Sequence, residues 1–404
     1  MTTSPAAIAG TTGRASPRIA WLPVAAVLLG TGWGANQFVP MLLVYRPALH
    51  LSTGTLEAMF GFYALGLIPG LLLAGPVSDA RGRRYVVIPA AGLSLLASLV
   101  LLAGADSVTL LFGGRLMAGV SSGIVFGSGT AWLREISARA GAGDQASARR
   151  AAVAMTAGFG LGPLVSGLLA QWAPSPRLVP YLPHIALMVV VLIMLRRAPE
   201  TVGGARRRVR LAVPGVRSRR FRRVVAPMAP WVFAAPAIAF ALLPSVVGAG
   251  SATNGIALTA VVTWLTAFAG VLIQPLARRL DADGRRNRAA ITGLLVAAVA
   301  LGLAAVTAQA DAIWMLVPCA ILFGSAYGLC LVAGLVEVGR VAPKGGLAGL
   351  TAAYYAITYL GFAAPYLFAL AAHVADYPTL LAIGAALALA TAAIVSRPGP
   401  EATR

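Results

Sequence analysis

Few residues of this chain could do chemistry, and their positions narrow what that chemistry is. Arg115 stands alone in an apolar run, about seven residues and roughly 10 Å from the end of it. A guanidinium in hydrocarbon must find partners, so it either serves solute binding or proton movement, or ties helices together by hydrogen bonding. Asn36 and Gln37 lie at a similar depth in another run, and their side chains or neighbouring carbonyls are its expected partners. Glu57 and His184 are the other titratable groups close to the membrane, each near the start of an apolar run. A residue at such an edge reads more readily as interfacial, although both are candidates for proton coupling. The 12 acidic residues lie almost entirely in polar segments or at run ends, and the apolar runs hold no His/Cys/Asp/Glu grouping. Neither enzyme chemistry nor a metal or other cofactor is expected.

A second set of charges is duplicated. Asp79-Ala-Arg81-Gly82-Arg83-Arg84 follows one apolar run, and Asp281-Ala-Asp283-Gly284-Arg285-Arg286 follows another 202 residues later. The same offset relates Glu135 to Glu337 and Pro163 to Pro365, and it is half of the 404-residue length. The chain therefore reads as two parallel halves, an arrangement in which membrane transporters hold their site between the halves. Asp79, Arg83 and Glu135 can cluster only where their helices come close, and Asp281, Arg285 and Glu337 would repeat the cluster. At a wetted surface each pair is worth about 1 kcal/mol or less, which suits a gate.

The elements that position these groups belong in a bilayer. Of all residues 59% are hydrophobic and 11% charged, with a mean hydropathy of +0.83; a soluble domain carries about 25% charged residues. Twelve apolar runs of spanning length lie between residues 19 and 396. The run at 178–195 is the shortest, and 224–248, interrupted by prolines, is the least regular. With both termini cytoplasmic, 29 of the 32 basic residues fall inside, leaving Arg46, Arg115 and Arg177. No other twelve-span orientation satisfies the positive-inside rule. The expected fold is an all-α membrane protein of twelve transmembrane helices in two pseudo-symmetric bundles. Its parts are a tail (1–18), a six-helix bundle (19–197), a basic linker (198–223), a second bundle (224–396) and a tail (397–404). The first apolar run is too long for a signal-peptide core and should be retained.

A net charge of +20 would point to nucleic acid in a soluble protein. Here the arginines sit in the inner segments without interleaved aromatics, so no nucleic-acid partner is expected. The linker either lies along the anionic inner leaflet or simply orients and solvates the chain. Cys319 and Cys330, about 16 Å apart on one helix, read as packing residues. A monomer in the cytoplasmic (inner) membrane is expected.

Gly75-Pro-Val-Ser-Asp79-Ala-Arg81-Gly82-Arg83-Arg84 resembles the loop signature that major facilitator transporters carry between helices 2 and 3. The resemblance covers the whole chain, because helix count, central basic loop and half-length repeat agree with it. Arg115 with Gly119 and Gly123 looks like the helix 4 motif of that family. Gly158-Phe-Gly-Leu-Gly162-Pro163-Leu-Val-Ser166-Gly167 resembles the helix 5 signature of drug:proton antiporters, with Ser166 in place of a usual glycine. Pro199-Glu200-Thr201 matches a common ending of helix 6. The resemblance implies alternating access, a charge cluster that latches the outward-facing state, and proton-coupled efflux of a small amphipathic solute. Many such antiporters carry a carboxylate in helix 1; this chain has none, and an importer or facilitator without antiport stays open.

Gly158, Gly162 and Gly167 leave one helix face nearly bare for close approach, and Pro163 invites a bend. Polar and aromatic residues within the spans give the candidate cavity: Trp33, Asn36, Gln37, Tyr63, Arg115, Trp264, Tyr327, Tyr354, Tyr355, Thr358 and Tyr359. Some must face lipid or belong to the interfacial aromatic belt, so about half are expected to touch solute. Aromatics and amides with one cation suit an amphipathic organic molecule.

Overall fold

A computed structural model describes residues 19–203, 215–281, 287–343 and 346–397. Gly284 and Arg285 lie outside the described residues, as do both tails apart from Arg397 and the middle of the linker. The first half holds α1 (Leu22–Ala48), α2 (Thr53–Arg81), α3 (Arg83–Ala103), α4 (Val108–Arg139), α5 (Ala146–Trp172) and α6 (Val179–Leu195). The second holds α7 (Phe221–Val246), α8 (Gly255–Leu280), α9 (Arg288–Ala310), α10 (Ile313–Val341), α11 (Gly349–Ala371) and α12 (Tyr377–Ser396). Among the described residues there is no strand. Eleven helices are long and apolar enough to cross a membrane, while α6 falls short of that length.

Helix starts follow from side-chain caps. The Ser52, Ser107 and Asp376 side chains accept from the N–H groups of Thr55, Leu110 and Thr379 at the starts of α2, α4 and α12. Two helices are irregular at matching places. α1 is broken by a turn between Asn36 and Met41, and α7 passes through a wide turn at Ile238–Leu242. These interruptions lie at the 202-residue repeat distance. Paired interruptions near the centre of both halves are where transporters of this architecture place their sites.

Within the first half α2 packs on α4, α1 on α5, and α3 on α4 and α6; within the second, α9 packs on α12 and α10, and α8 on α10. The halves meet through α5 against α8 and α2 against α11. Leu65, Val299 and Leu387, all largely exposed, belong to an outer apolar belt that only lipid can cover. Cys319 and Cys330 are buried and free.

At the end of this seam opposite the basic loops, Arg46 Nη1 reaches the Ser245 carbonyl of α7 at 3.0 Å, and Gln171 Nε2 reaches the Thr253 carbonyl at 3.1 Å. Phe60 of α2 meets Phe240 and Phe362 with ring centroids 6.0 and 5.3 Å apart. A Cβ on Gly61 of α2 would touch the Phe362 carbonyl of α11. The seam is closed at the face opposite the basic loops.

Candidate functional site

A cavity lies at the seam between the halves. Asn36, Tyr63 and Phe159 face it from the first half, and Phe233, Pro236, Phe240, Ala267, Tyr327, Tyr359 and Phe362 from the second. Among the described residues no acidic or basic side chain lines it. The wall of the second half is a stack: Phe233 lies 4.4 Å from Tyr359 at 14° and 5.1 Å from Phe362 at 16°, with Tyr327 tilted beside it at 5.6 Å. Such a wall offers flat π faces and few hydrogen bonds, which suits a planar apolar body.

Four of the residues singled out in the sequence therefore meet: Asn36, Tyr63, Tyr327 and Tyr359. The others stand elsewhere. Trp33 backs onto α5, where its carbonyl packs over Gly162. Trp264 stacks on Phe268 and covers Gly160 of α5. Tyr354 is fully buried, donating to the Cys330 carbonyl, and Tyr355 bridges Tyr354 and Tyr359 in a tilted row. Thr358 donates to the carbonyl of Tyr355 in its own helix. The lining phenylalanines were not legible as such, because an isolated Phe in an apolar run looks the same toward lipid or solute. Phe159 lies inside the glycine motif of α5, and Phe362 lies three residues past Tyr359, so those two carried a positional signal.

Arg115 does not line the cavity; it is 1% exposed, behind Tyr63. It donates to the carbonyls of Ala35 in α1 (3.0 Å) and Phe60 in α2 (3.2 Å), and lies over the rings of Tyr63 (4.7 Å) and Phe38 (4.9 Å). Its charge is held by dipoles and π faces with no carboxylate beside it. Gln37 joins a different chain of bonds: Gln37 Nε2 donates to Ser98 Oγ, which meets His184 Nδ1 at 2.7 Å, while His184 Nε2 meets the Gly30 carbonyl. His184 is thus a fully buried tie between α1, α3 and α6, with both ring nitrogens engaged.

The interfacial expectation for Glu57 is overturned. Its side chain is 0% exposed and neither carboxyl oxygen has a hydrogen-bond partner. The α2 face that carries it is covered by the second half, so an edge position in the sequence becomes a buried position in the fold.

At the basic end, the first charge cluster forms within one half. Arg83 Nη1 meets Asp79 at 2.6 Å, and its Nη2 meets Glu135 at 2.7 Å. Thr201 Oγ1 bonds the other oxygen of Glu135. Glu200 accepts from four backbone N–H groups, those of Arg83, Arg84, Thr201 and Val202. Burial alone would raise the Glu200 carboxyl, but these four donors hold it below the usual range. Asp79 is 62% exposed on its side chain and Arg81 is exposed, whereas Arg84 donates to the Arg196 carbonyl. In the second half Glu337 is 1% exposed and binds Arg220 (2.6 Å) and Arg340 (2.5 Å). Asp281 accepts from the Ala289 N–H at the start of α9, and burial holds its carboxyl above the usual range.

The glycines of α5 serve two neighbours. Gly158 and Gly162 press on the α1 backbone at Leu29 and Trp33, whereas Gly167 packs on Pro40 of α1 and Ala260 of α8. α5 runs through Pro163 as one helix.

A 101-residue stretch is 35% identical to Multidrug resistance protein MdtL of Escherichia coli O139:H28 (strain E24377A / ETEC), covering 24% of this chain and 26% of that protein. MdtL of Shigella boydii serotype 18 (strain CDC 3083-94 / BS512) matches equally. The aligned part of the chain thus spans about a quarter of these curated relatives. Among solved structures, the nucleoside transporter NupG superposes with a TM-score of 0.72 at 13% identity, over 95% of this chain and 100% of that one. A POT family transporter in complex with 5-aminolevulinic acid gives 0.77 at 12%, over 98% of both chains. These likenesses show the fold. The family model of the Major Facilitator Superfamily matches residues 22–364, and the chain, a non-enzymatic membrane transporter, belongs to that superfamily.

Proposed function

We propose that this transporter moves a small, planar, amphipathic organic solute outward across the cytoplasmic membrane by alternating access, in exchange for protons. The observation that carries the reading is the aromatic cavity between the halves, closed at the face opposite the basic loops. Placing the basic loops in the cytoplasm, as the positive-inside rule requires, makes this the inward-facing form. The linker 198–223 then lies at the anionic leaflet, and the monomer, whose cavity is complete within one chain, is the working unit. The partial likeness to multidrug resistance proteins supports efflux.

In this reading the charge clusters brace each half as a rigid body. Arg83, Glu135 and Glu200 tie together α3, α4 and the segment after α6, all on one side of the seam. The exposed Asp79 carboxylate is the member left available to α11 when the basic face closes.

A second reading, uptake or facilitated passage without antiport, is favoured by one feature: no carboxylate lines the cavity. Reconstituted vesicles decide between them. Addition of planar aromatic drugs to vesicles carrying a proton gradient should release protons in step with solute movement. Solute movement with no proton flux assigns the facilitator reading, and neither movement removes the transport of this solute class.

A further inference from the structure

We infer that Glu57 is a proton-binding site whose occupancy is required for the sealed face to close. This rests on the proposed function only for its orientation, and it names a pH-dependent lock on the outer face whose proton is taken from, and returned to, the outer solution.

The argument starts from what surrounds the carboxyl. Glu57 lies one turn into α2, is 0% exposed, and has no hydrogen-bond partner at either oxygen. A carboxylate withdrawn from water without partners is costly by several kcal/mol or more, whereas the neutral acid is far less so. In this closed seam the group therefore carries its proton.

The charge acting on Glu57 is Arg46, at the end of α1. Yet Arg46 does not pair with it. Its Nη1 is committed across the seam, to the Ser245 carbonyl of α7. From α12, Tyr377 shares the field of both Glu57 and Arg46. Arg115 of α4 is bound to the Phe60 and Ala35 carbonyls. On the same helix Tyr63 is the next titratable group. α7 offers none near this end, α11 offers only tyrosines, and His50 in the turn after α1 is exposed. Among the described residues no donor reaches either Glu57 oxygen while the seam is shut, and Arg46 acts on it only through space.

Parting the halves changes both conditions at once. Water reaches Glu57, and moving α7 away from α1 frees Arg46 from Ser245, so the ionised pair Glu57–Arg46 becomes available. Closing reverses the exchange: one proton is taken up by the Glu57 carboxylate from the outer solution, Arg46 returns to Ser245, and the neutral acid is buried. Closure of the outer face and uptake of one proton are thus one event. The sealed population should change by about tenfold per pH unit over the window set by the two states.

The test uses the full chain in vesicles and needs no solute. Leu43, 3% exposed and packed against Gly250 across the seal, is replaced by cysteine in a Cys319→Ala, Cys330→Ala background. Its rate of labelling by a membrane-impermeant maleimide is followed from pH 5 to 9. Dividing by the rate at Ser251→Cys, in the exposed loop after α7, removes the intrinsic pH dependence of the thiol. The expected result is a normalised rate that rises with external pH by up to tenfold per unit. In Glu57→Gln, an isosteric neutral side chain, the rate should stay low and flat, and in Glu57→Asp the slope should persist. Arg46→Gln should move the window to higher pH, because the open-state carboxylate loses its partner. A flat wild-type profile, or a slope that survives Glu57→Gln, overturns the assignment. Labelling is read without transport, so failure here leaves solute efflux standing. Conversely, solute flux without proton flux removes antiport while a Glu57-dependent slope still upholds the site.

Discussion

Glu200 caps Arg83: a carboxylate that follows α6 accepts the first backbone N–H of α3, at 3.0 Å, and the N–H of Arg84 at 2.9 Å. The orphan donors of a helix start are thereby satisfied from more than a hundred residues away, and the loop before α3 is fixed to the end of the bundle. Gly82, between α2 and α3, makes the approach possible. Its φ is +109°, and a Cβ there would lie 2.7 Å from Glu200 Oε2. Gly82→Ala is expected to cost about 1–3 kcal/mol from backbone strain, and Glu200→Ala about 1 kcal/mol from the lost cap. Thermal unfolding in detergent measures both. The two losses should not add, because the alanine at 82 already displaces the cap.

The same carboxylate sets a pH dependence. Burial would raise Glu200, but the four N–H donors hold it below the usual carboxylate range. A group with a lowered folded value stabilises fully above its unfolded value and loses that contribution as pH falls through the folded one. The stability difference between wild type and Glu200→Gln should therefore be constant at neutral pH and shrink below about pH 4. A difference unchanged down to pH 3 would show that the cap does not depend on charge.

Asp281 behaves in the opposite sense. Burial holds it above the usual range despite the Ala289 N–H and the field of Arg340, and its Oδ2 has no partner. A raised folded value means that the folded state binds the proton more tightly, so stability contributed by this group is fully present below the unfolded value and is lost as pH rises through the folded one. Asp281→Asn keeps an acceptor for Ala289 and removes the buried charge, and it should match or exceed wild-type stability at pH 8. Asp281→Ala removes the acceptor as well and should cost about 1 kcal/mol. Melting curves of the two variants at pH 5 and pH 8 separate the contributions.

How much of this was readable beforehand depends on the kind of signal. The helices and their pairing into halves follow from patterns that one physical cause writes repeatedly, namely apolar length and the 202-residue offset. Asn36, Tyr63, Tyr327 and Tyr359 were found because a polar atom in a span needs a reason. Phe233, the centre of the stack, needed none, and was invisible. Glu57 misled for a different reason: depth along the helix was estimated from its end, whereas burial came from the other half of the molecule. Glu337 shows the same limit, since its partner Arg220, just before α7, lies 117 residues away outside the duplicated motif.

Phe233 supplies a direct test of the cavity. Its ring packs on those of Tyr359 and Phe362 at 4.4 and 5.1 Å, and these two lie 5.7 Å from each other, so the three form a triangle. Phe233→Ala should weaken binding of planar aromatic solutes by about 1–2 kcal/mol, or roughly ten- to thirtyfold, through lost stacking and burial. Trp264→Ala, outside the lining, should change affinity little. Equilibrium fluorescence binding in detergent compares them, and equal losses would move the site away from the stack.

Arg115 is expected to bias which charge a solute carries. The guanidinium has no carboxylate partner, and Tyr63, 4.7 Å beneath it, is part of the cavity wall. At about 10 Å and an effective dielectric of about 20, its field is worth about 1.7 kcal/mol to a unit charge. Among the lining residues no acid offsets it. Between isosteric aromatic solutes, the anion and the neutral form should therefore bind more tightly than the cation, the cation by about tenfold more weakly than the neutral form. Free ring faces of the stack favour cations by about 0.5–2 kcal/mol, which narrows this preference, while Tyr63 already has Arg115 over its ring. Replacing Ala267 in the wall by aspartate should reverse the order without disturbing the Arg115 bonds. If cations bind best to the wild-type protein, Arg115 is screened from the cavity and acts only as a tie between α1, α2 and α4.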